Sequence, residues 1–93
     1  MISANEYFGG SVKSLGYQTA AGKSTVGVIN EGEYEFGTSQ HEIMTIVEGE
    51  LNVQLPGSED FQLYGQGQTF EVPANASFKV QASGPVSYLC QYR

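Results

Sequence analysis

The chain has 93 residues, with ten Asp and Glu against four Lys and Arg, giving a formal net charge of −6. That length supports one core and therefore one domain over residues 1–93, burying roughly 60–65% of the extended-chain surface. The acidity excludes nucleic acid and membrane as partners, because both require a basic footprint, to displace counterions from phosphates or to meet anionic lipid. The single cysteine, Cys90, rules out an internal disulfide. Polar Ser3, Asn5 and Glu6 follow Met1 at once, and no apolar run reaches the ~18 residues of a membrane span, so neither a signal peptide nor a spanning segment is expected. A small domain without disulfides points to a cytoplasmic location.

Twelve glycines and short β-branched or aromatic runs predict an all-β chain. The one helical suggestion is a turn near Asn5 to Phe8. Tyr17 to Thr19 and Ser24 to Asn30 flank Ala20-Ala21-Gly22-Lys23, which reads as a hairpin loop. In Glu33 to Thr38 an aromatic or Thr alternates with an acid or glycine, the period of two of a half-buried strand. Ile43 to Val47 is a continuous apolar run and reads as a central strand. In Leu51 to Leu55, Leu51, Val53 and Leu55 share one face. Pro56-Gly57-Ser58-Glu59-Asp60 is a turn, and Phe61 to Tyr64, Thr69 to Val72, Ser77 to Gln81 and Val86 to Tyr92 complete about nine strands. Strands at intervals of roughly 8–12 residues with glycine-containing turns suggest a sandwich or barrel.

Two spacings sharpen that reading. Gly32 leads to Glu42, seven residues before Gly49, and Gly67 stands six residues before Pro73 in a block running to Phe78. These blocks resemble the two motifs of the cupin barrel, G-x5-H-x-H-x3,4-E-x6-G and G-x5-P-x-G-x2-H-x3-N, and imply a single-domain cupin-type jelly-roll β-barrel. The metal-binding histidines of those motifs are missing: Phe78 holds the second-motif position, and no H-x-H precedes Glu42. Alternation then assigns faces. If Glu42 points inward, Met44 and Ile46 do too; if Phe78 is inward, Val80 and Ala82 share its face and Lys79 points out. Tyr34, Phe36 and Thr38 form one face of their strand, and Tyr88, Cys90 and Tyr92 one face of the last. The expected cavity combines Tyr34, Phe36, Glu42, Met44, Phe70, Phe78 and Tyr88, an aromatic cup with one acid that suits a flat heterocycle. Plain core packing would explain any single aromatic residue among them.

Over nearly its whole length the chain resembles the small bacterial pyrimidine/purine nucleoside phosphorylases. The resemblance rests on Asn5-Glu6-Tyr7-Phe8, Val12-Lys13-Ser14, Gly32-Glu33-Tyr34, Glu42, Met44-Thr45, Leu51-Asn52-Val53, Val72-Pro73 and Ser87-Tyr88-Leu89-Cys90. It implies a broad-specificity enzyme that cleaves nucleosides with phosphate to free base and ribose 1-phosphate. Neither metal nor other cofactor is implied, and inorganic phosphate is the co-substrate.

Such a reaction passes through an oxocarbenium-like sugar. Glu42 is the first catalytic candidate, either holding the ribose hydroxyls as a carboxylate or, kept neutral, donating to the base. Tyr34 and Phe78 are candidate stacking walls for the base, and Tyr88 a hydroxyl for the sugar. Phosphate needs donors, for which Lys13 and Lys23 lead over outward Lys79 and terminal Arg93, with Thr38, Thr45 and Ser77 in support. His41 stands alone in a loop without partners at ligand spacing and reads as solvent-facing. Cys90, with no His or second Cys nearby in sequence, reads as a small buried hydrophobe. The alternatives are a non-enzymatic cupin that binds a nucleoside or other small aromatic ligand, and a metal-dependent cupin such as a dioxygenase, against which the missing histidines argue. A chain this small and aromatic is also expected to cover a sheet face by forming a homodimer.

Overall fold

Side-chain alternation organises the chain into ten strands, and the computed structural model describes all residues 1–93. In order they are β1 (Ser3–Tyr7), β2 (Val12–Thr19), β3 (Gly22–Ile29), β4 (Gly32–Gly37), β5 (Glu42–Glu48), β6 (Leu51–Gln54), β7 (Gln62–Tyr64), β8 (Thr69–Val72), β9 (Ser77–Ala82) and β10 (Val86–Tyr92). Six strands form one antiparallel sheet in the order β1-β2-β3-β10-β5-β8, and four form a second in the order β4-β9-β6-β7. No helix is long and apolar enough to cross a membrane.

The expected faces match the burial pattern. Met44 and Ile46 are buried on β5 while Val47 is exposed, Phe78, Val80 and Ala82 are buried on β9 while Lys79 is exposed, and Tyr88 and Cys90 are buried on β10. Val12, Ile29, Ile46, Leu51, Val53 and Val80 are nearly sealed from solvent and join both sheets into one core. Along β5 burial falls from Ile46 through Met44 to half-buried Glu42, and along β10 from Val86 to half-buried Tyr92. The core therefore loosens at the end where β5 begins and β10 finishes.

Three local expectations need correction. The helical turn expected near Asn5 to Phe8 is displaced to a single 3-10 turn at Phe8–Gly10, and the residues before it form β1, paired with β2 from Ser3↔Gly16 to Tyr7↔Val12. The residues of that turn all have positive φ (53°, 66° and 97°). The first hairpin strand starts at Val12, five residues before its predicted start at Tyr17. The loop predicted over residues 20–23 shrinks to Ala20-Ala21: Thr19 pairs with Gly22, and its hydroxyl both donates to the Gly22 carbonyl (2.8 Å) and accepts from the Ala21 N–H (3.1 Å). Five-residue segments carry too little periodicity to separate a strand from a turn, and strand pairing decided each case.

Gly49 closes β5 onto β6 at φ 93°, and a Cβ there would stand 2.8 Å from the Pro85 carbonyl oxygen. Gly49→Ala is expected to lower unfolding stability by about 1–3 kcal/mol, read as a lower urea midpoint. An unchanged midpoint would show that the turn relaxes at no cost.

Candidate functional site

Where the core loosens, β1, β2, β3, β4, β5, β9, β10 and the Phe8 turn enclose a cavity of about 360 Å³. This lies within the range of roughly 300–1,000 Å³ usual for small-molecule sites. Glu42, Met44 and Tyr88 line its floor with Cys90 and Tyr92, while Phe36 and Phe78 form the opposite wall. Strand register fixes the floor: Tyr92 pairs with Glu42, Cys90 with Met44 and Tyr88 with Ile46, so one face of β10 lies directly beside one face of β5. The Phe36 and Phe78 rings are 5.6 Å apart, and Phe8 meets Phe36 edge-on at 5.5 Å. Such tilted and edge-to-face contacts hold aromatic walls rigidly.

Glu42 is the half-buried carboxylate of this cup. The Cys90 thiol donates to its Oε1 at 3.5 Å. Burial raises the carboxyl above the ordinary glutamate value, and the thiol hydrogen bond offsets part of that rise. Cys90 itself is pushed up to about 12, first by burial and then by the neighbouring Glu42 charge, so it remains a thiol and is no nucleophile. Burial likewise lifts Tyr88 to about 12 and raises Tyr92, leaving both as neutral hydroxyls. Tyr88 owes its position to Gly27, its partner in the β10–β3 register, because a Cβ there would fall 2.6 Å from the tyrosine Oη.

The predicted site residues divide. Phe36, Glu42, Met44, Phe78 and Tyr88 come together in the cavity. Tyr34, Thr38 and Phe70 face inward without lining it. Tyr34 stands behind Phe8, ring centroids 5.0 Å apart, with its hydroxyl shared between the Asn30 and Glu31 carbonyls. The Thr38 hydroxyl donates to the Pro73 carbonyl (2.7 Å) and accepts from the Ala76 N–H (3.0 Å). Phe70 packs between Tyr64 and Phe78.

Of the proposed cations, Lys13 points out of the barrel and pairs loosely with Glu6 at 4.0 Å. Lys23 belongs to β3 rather than a loop, and its Nζ sits 5.3 Å from the centre of the Tyr92 ring, at the rim. His41 is engaged rather than free: its Nε2 lies 2.9 Å from Glu71 Oε1. Sequence reasoning missed Tyr7, Phe8, Ser14, Ile29, Glu35, Gly37, Cys90 and Tyr92 as lining residues. Alternation had placed Cys90 and Tyr92 on the face of Tyr88, a usable signal, whereas nothing in the sequence folded Phe8 over β4.

No three His, Cys, Asp or Glu side chains converge in the chain to hold a metal ion. A family model described as pyrimidine/purine nucleoside phosphorylase matches residues 2–92. Proteins carrying that name from Marinobacter nauticus and Pseudomonas aeruginosa are each 52% identical, over 92 residues (99% of both chains) and 93 residues (100% of both) respectively. A protein of unknown function from Vibrio parahaemolyticus superposes with a TM-score of 0.96 at 43% identity, covering 100% of this chain and 99% of that one. An RmlC-like cupin from Shewanella frigidimarina superposes at 0.73 with 17% identity, covering 99% of this chain and 83% of its own, a likeness of fold alone.

The raised Glu42 makes stability depend on pH. Between the ordinary carboxylate value and the raised one, the folded chain holds a proton that the unfolded chain has released, so stability falls as pH rises through that window. Glu42→Gln is therefore expected to melt above the wild type at pH 7, with the gap closing as the pH drops below the ordinary glutamate value. Thermal melts across pH check this, and a variant less stable than wild type at pH 7 would contradict it.

Proposed function

The chain belongs to the pyrimidine/purine nucleoside phosphorylase family, and from that premise we propose that it cleaves both pyrimidine and purine nucleosides with phosphate to free base and ribose 1-phosphate, without a metal. The observation carrying this reading is a single desolvated carboxylate, Glu42, inside an aromatic cup of about 360 Å³. A phosphate oxygen bonds to C1′ while the C1′–N bond breaks and its electron pair leaves with the base. The proton of hydrogen phosphate ends on that base, which balances the reaction.

An enzyme that accepts both base classes must grip what they share, which is the ribose. Glu42 is assigned to the ribose hydroxyls for that reason. Its Oε1 faces Cys90, Oε2 has no protein hydrogen-bond partner, and the ionised group opposes the positive charge that develops on the sugar. Phe36 and Phe78 stack on the base, a contact that tolerates any flat heterocycle. Tyr88 and Tyr92, neutral at physiological pH, supply hydroxyls that can donate to the sugar.

Incubation with uridine, inosine or guanosine is expected to release base only when phosphate is present. Glu42→Gln should lower turnover by about tenfold or more, the scale of roughly 1.4 kcal/mol of transition-state stabilisation. Binding without turnover in phosphate would remove the catalytic reading, and unchanged kinetics in the folded variant would remove Glu42 from it.

A homodimer and a cytoplasmic location complete the proposal. Across the outer face of the six-stranded sheet Leu15 pairs with Val26 and Val26 with Leu89, beside exposed Val28. Water contact along such an apolar row favours covering it with a second copy. Light scattering is expected to give twice the 10.0 kDa chain mass. A monomer mass that does not vary with concentration would contradict pairing.

A further inference from the structure

Glu42 is half-buried, and one protein donor reaches its carboxylate, the Cys90 thiol at 3.5 Å from Oε1. Charges taken out of water are normally paired with an opposite charge. None of the basic side chains nearby turns to this one. Lys23 lies over the Tyr92 ring, Arg93 Nη1 donates to the Lys23 and Tyr92 carbonyls at 2.8 and 2.9 Å, and His41 faces Glu71. The other titratable groups of the cup are Tyr7, Glu35, Tyr88 and Tyr92, and burial keeps Tyr88 and Tyr92 neutral. A neutral thiol therefore stands where an ion pair is the usual solution.

Strand register builds this contact into the sheet. On β10, Cys90 pairs with Met44 of β5 on one side and with Thr25 of β3 on the other, while Tyr92 pairs with Glu42. Cys90 is 2% exposed and Thr25 is 3% exposed, so packing fixes both on the inner face. The Thr25 hydroxyl adjoins the Cys90 thiol and the Tyr92 hydroxyl, and it forms no hydrogen bond elsewhere. A buried hydroxyl turns its proton toward the acceptor within reach, because leaving it unpaired is costly. Directed at the sulfur, it leaves the S–H proton to point at Glu42. Thr25, Cys90 and Glu42 then form one chain of donors ending on the carboxylate, in which each bond polarises the next.

We propose that Cys90, braced by Thr25, is a positioning residue for Glu42: its thiol holds Oε1 and so presents Oε2 to the ribose. The ribose as recipient rests on the proposed reaction, whereas the grip on the carboxylate does not. A thiol suits this role because it donates without carrying charge. A lysine or arginine there would neutralise the acid that has to oppose a positive sugar. An apolar side chain would abandon the acid to burial, which favours its uncharged form. Burial, and then the Glu42 charge, push Cys90 up to about 12, so its proton stays in place through the physiological range.

The test compares wild type with Cys90→Ala, Cys90→Ser and Thr25→Val. It follows the 13C titration of the Glu42 carboxyl, the S–H infrared band, and the pH profile of kcat for inosine in phosphate. Because the chain has one cysteine, the S–H band reports this contact alone. In wild type the band is expected to move as Glu42 titrates, and in Glu42→Gln to stay fixed over the same pH range. The Glu42 midpoint should rise in Cys90→Ala, rise less in Thr25→Val, and return to the wild-type value or below in Cys90→Ser, which restores a donor. At pH 7 the kcat of Cys90→Ala is expected to fall about fivefold or more, with the acid limb of its profile moved to higher pH and most of the loss recovered in Cys90→Ser. A fall in kcat that is uniform across pH, with the midpoint unmoved, would mark lost packing and overturn the proposal, as would an S–H band indifferent to Glu42. If the midpoints move as expected but wild type releases no base, the reaction fails while the grip of Cys90 on Glu42 stands. If base is released and the Cys90 variants titrate as wild type does, the reaction stands and the positioning role fails.

Discussion

Desolvation of one carboxylate is the constraint around which this barrel is arranged. Glu42 opens β5 at the barrel end where core packing gives out, between a floor of Tyr88, Cys90 and Tyr92 and a wall of Phe36 and Phe78. In water its charge would be screened; among rings the same charge acts at lower dielectric and is correspondingly stronger. The cost is borne by the fold, which must keep a partly buried acid. The rest of the core offsets that cost with a continuous aliphatic layer from Val12 and Ile29 through Ile46 to Val53 and Val80.

Strand register turns this constraint into a site. Because β10 lies between β3 and β5, its inner face joins the donor-bearing rows of β1, β2 and β3 to the acid on β5. Small residues make the junction possible. Gly27 gives way to the Tyr88 hydroxyl, and Gly16 lets the Ser3, Asn5 and Lys23 side chains close over its backbone. The inner face of β10 thus borders both the aromatic cup and a polar strip on β1, β2 and β3.

Much of this was legible in the sequence because period-two alternation and the Glu42–Gly49 and Gly67–Pro73 spacings set faces for β4, β5, β9 and β10. Facing inward, however, is a weaker property than reaching a cavity. Thr38 and Phe70 point inward and are consumed by packing and backbone hydrogen bonds, which only a three-dimensional neighbour list reveals. Tyr7 and Phe8 enter the site because a turn of three positive-φ residues throws the chain across to β4, and a phenylalanine at φ 53° is not what its residue type predicts. Lys23 was assigned to a loop since Ala-Ala-Gly-Lys lacks strand character, yet the Thr19 hydroxyl closes the hairpin one pair earlier and commits Lys23 to the inner face of β3.

The most direct test of the central claim is a 13C NMR titration of the Glu42 side-chain carboxyl in the folded protein, assigned by comparison with Glu42→Gln. A midpoint above the ordinary glutamate value, shifted further when a nucleoside fills the cup, is the predicted result. A midpoint at or below that value, indifferent to nucleoside, would place the carboxylate in effective contact with bulk water and contradict the account.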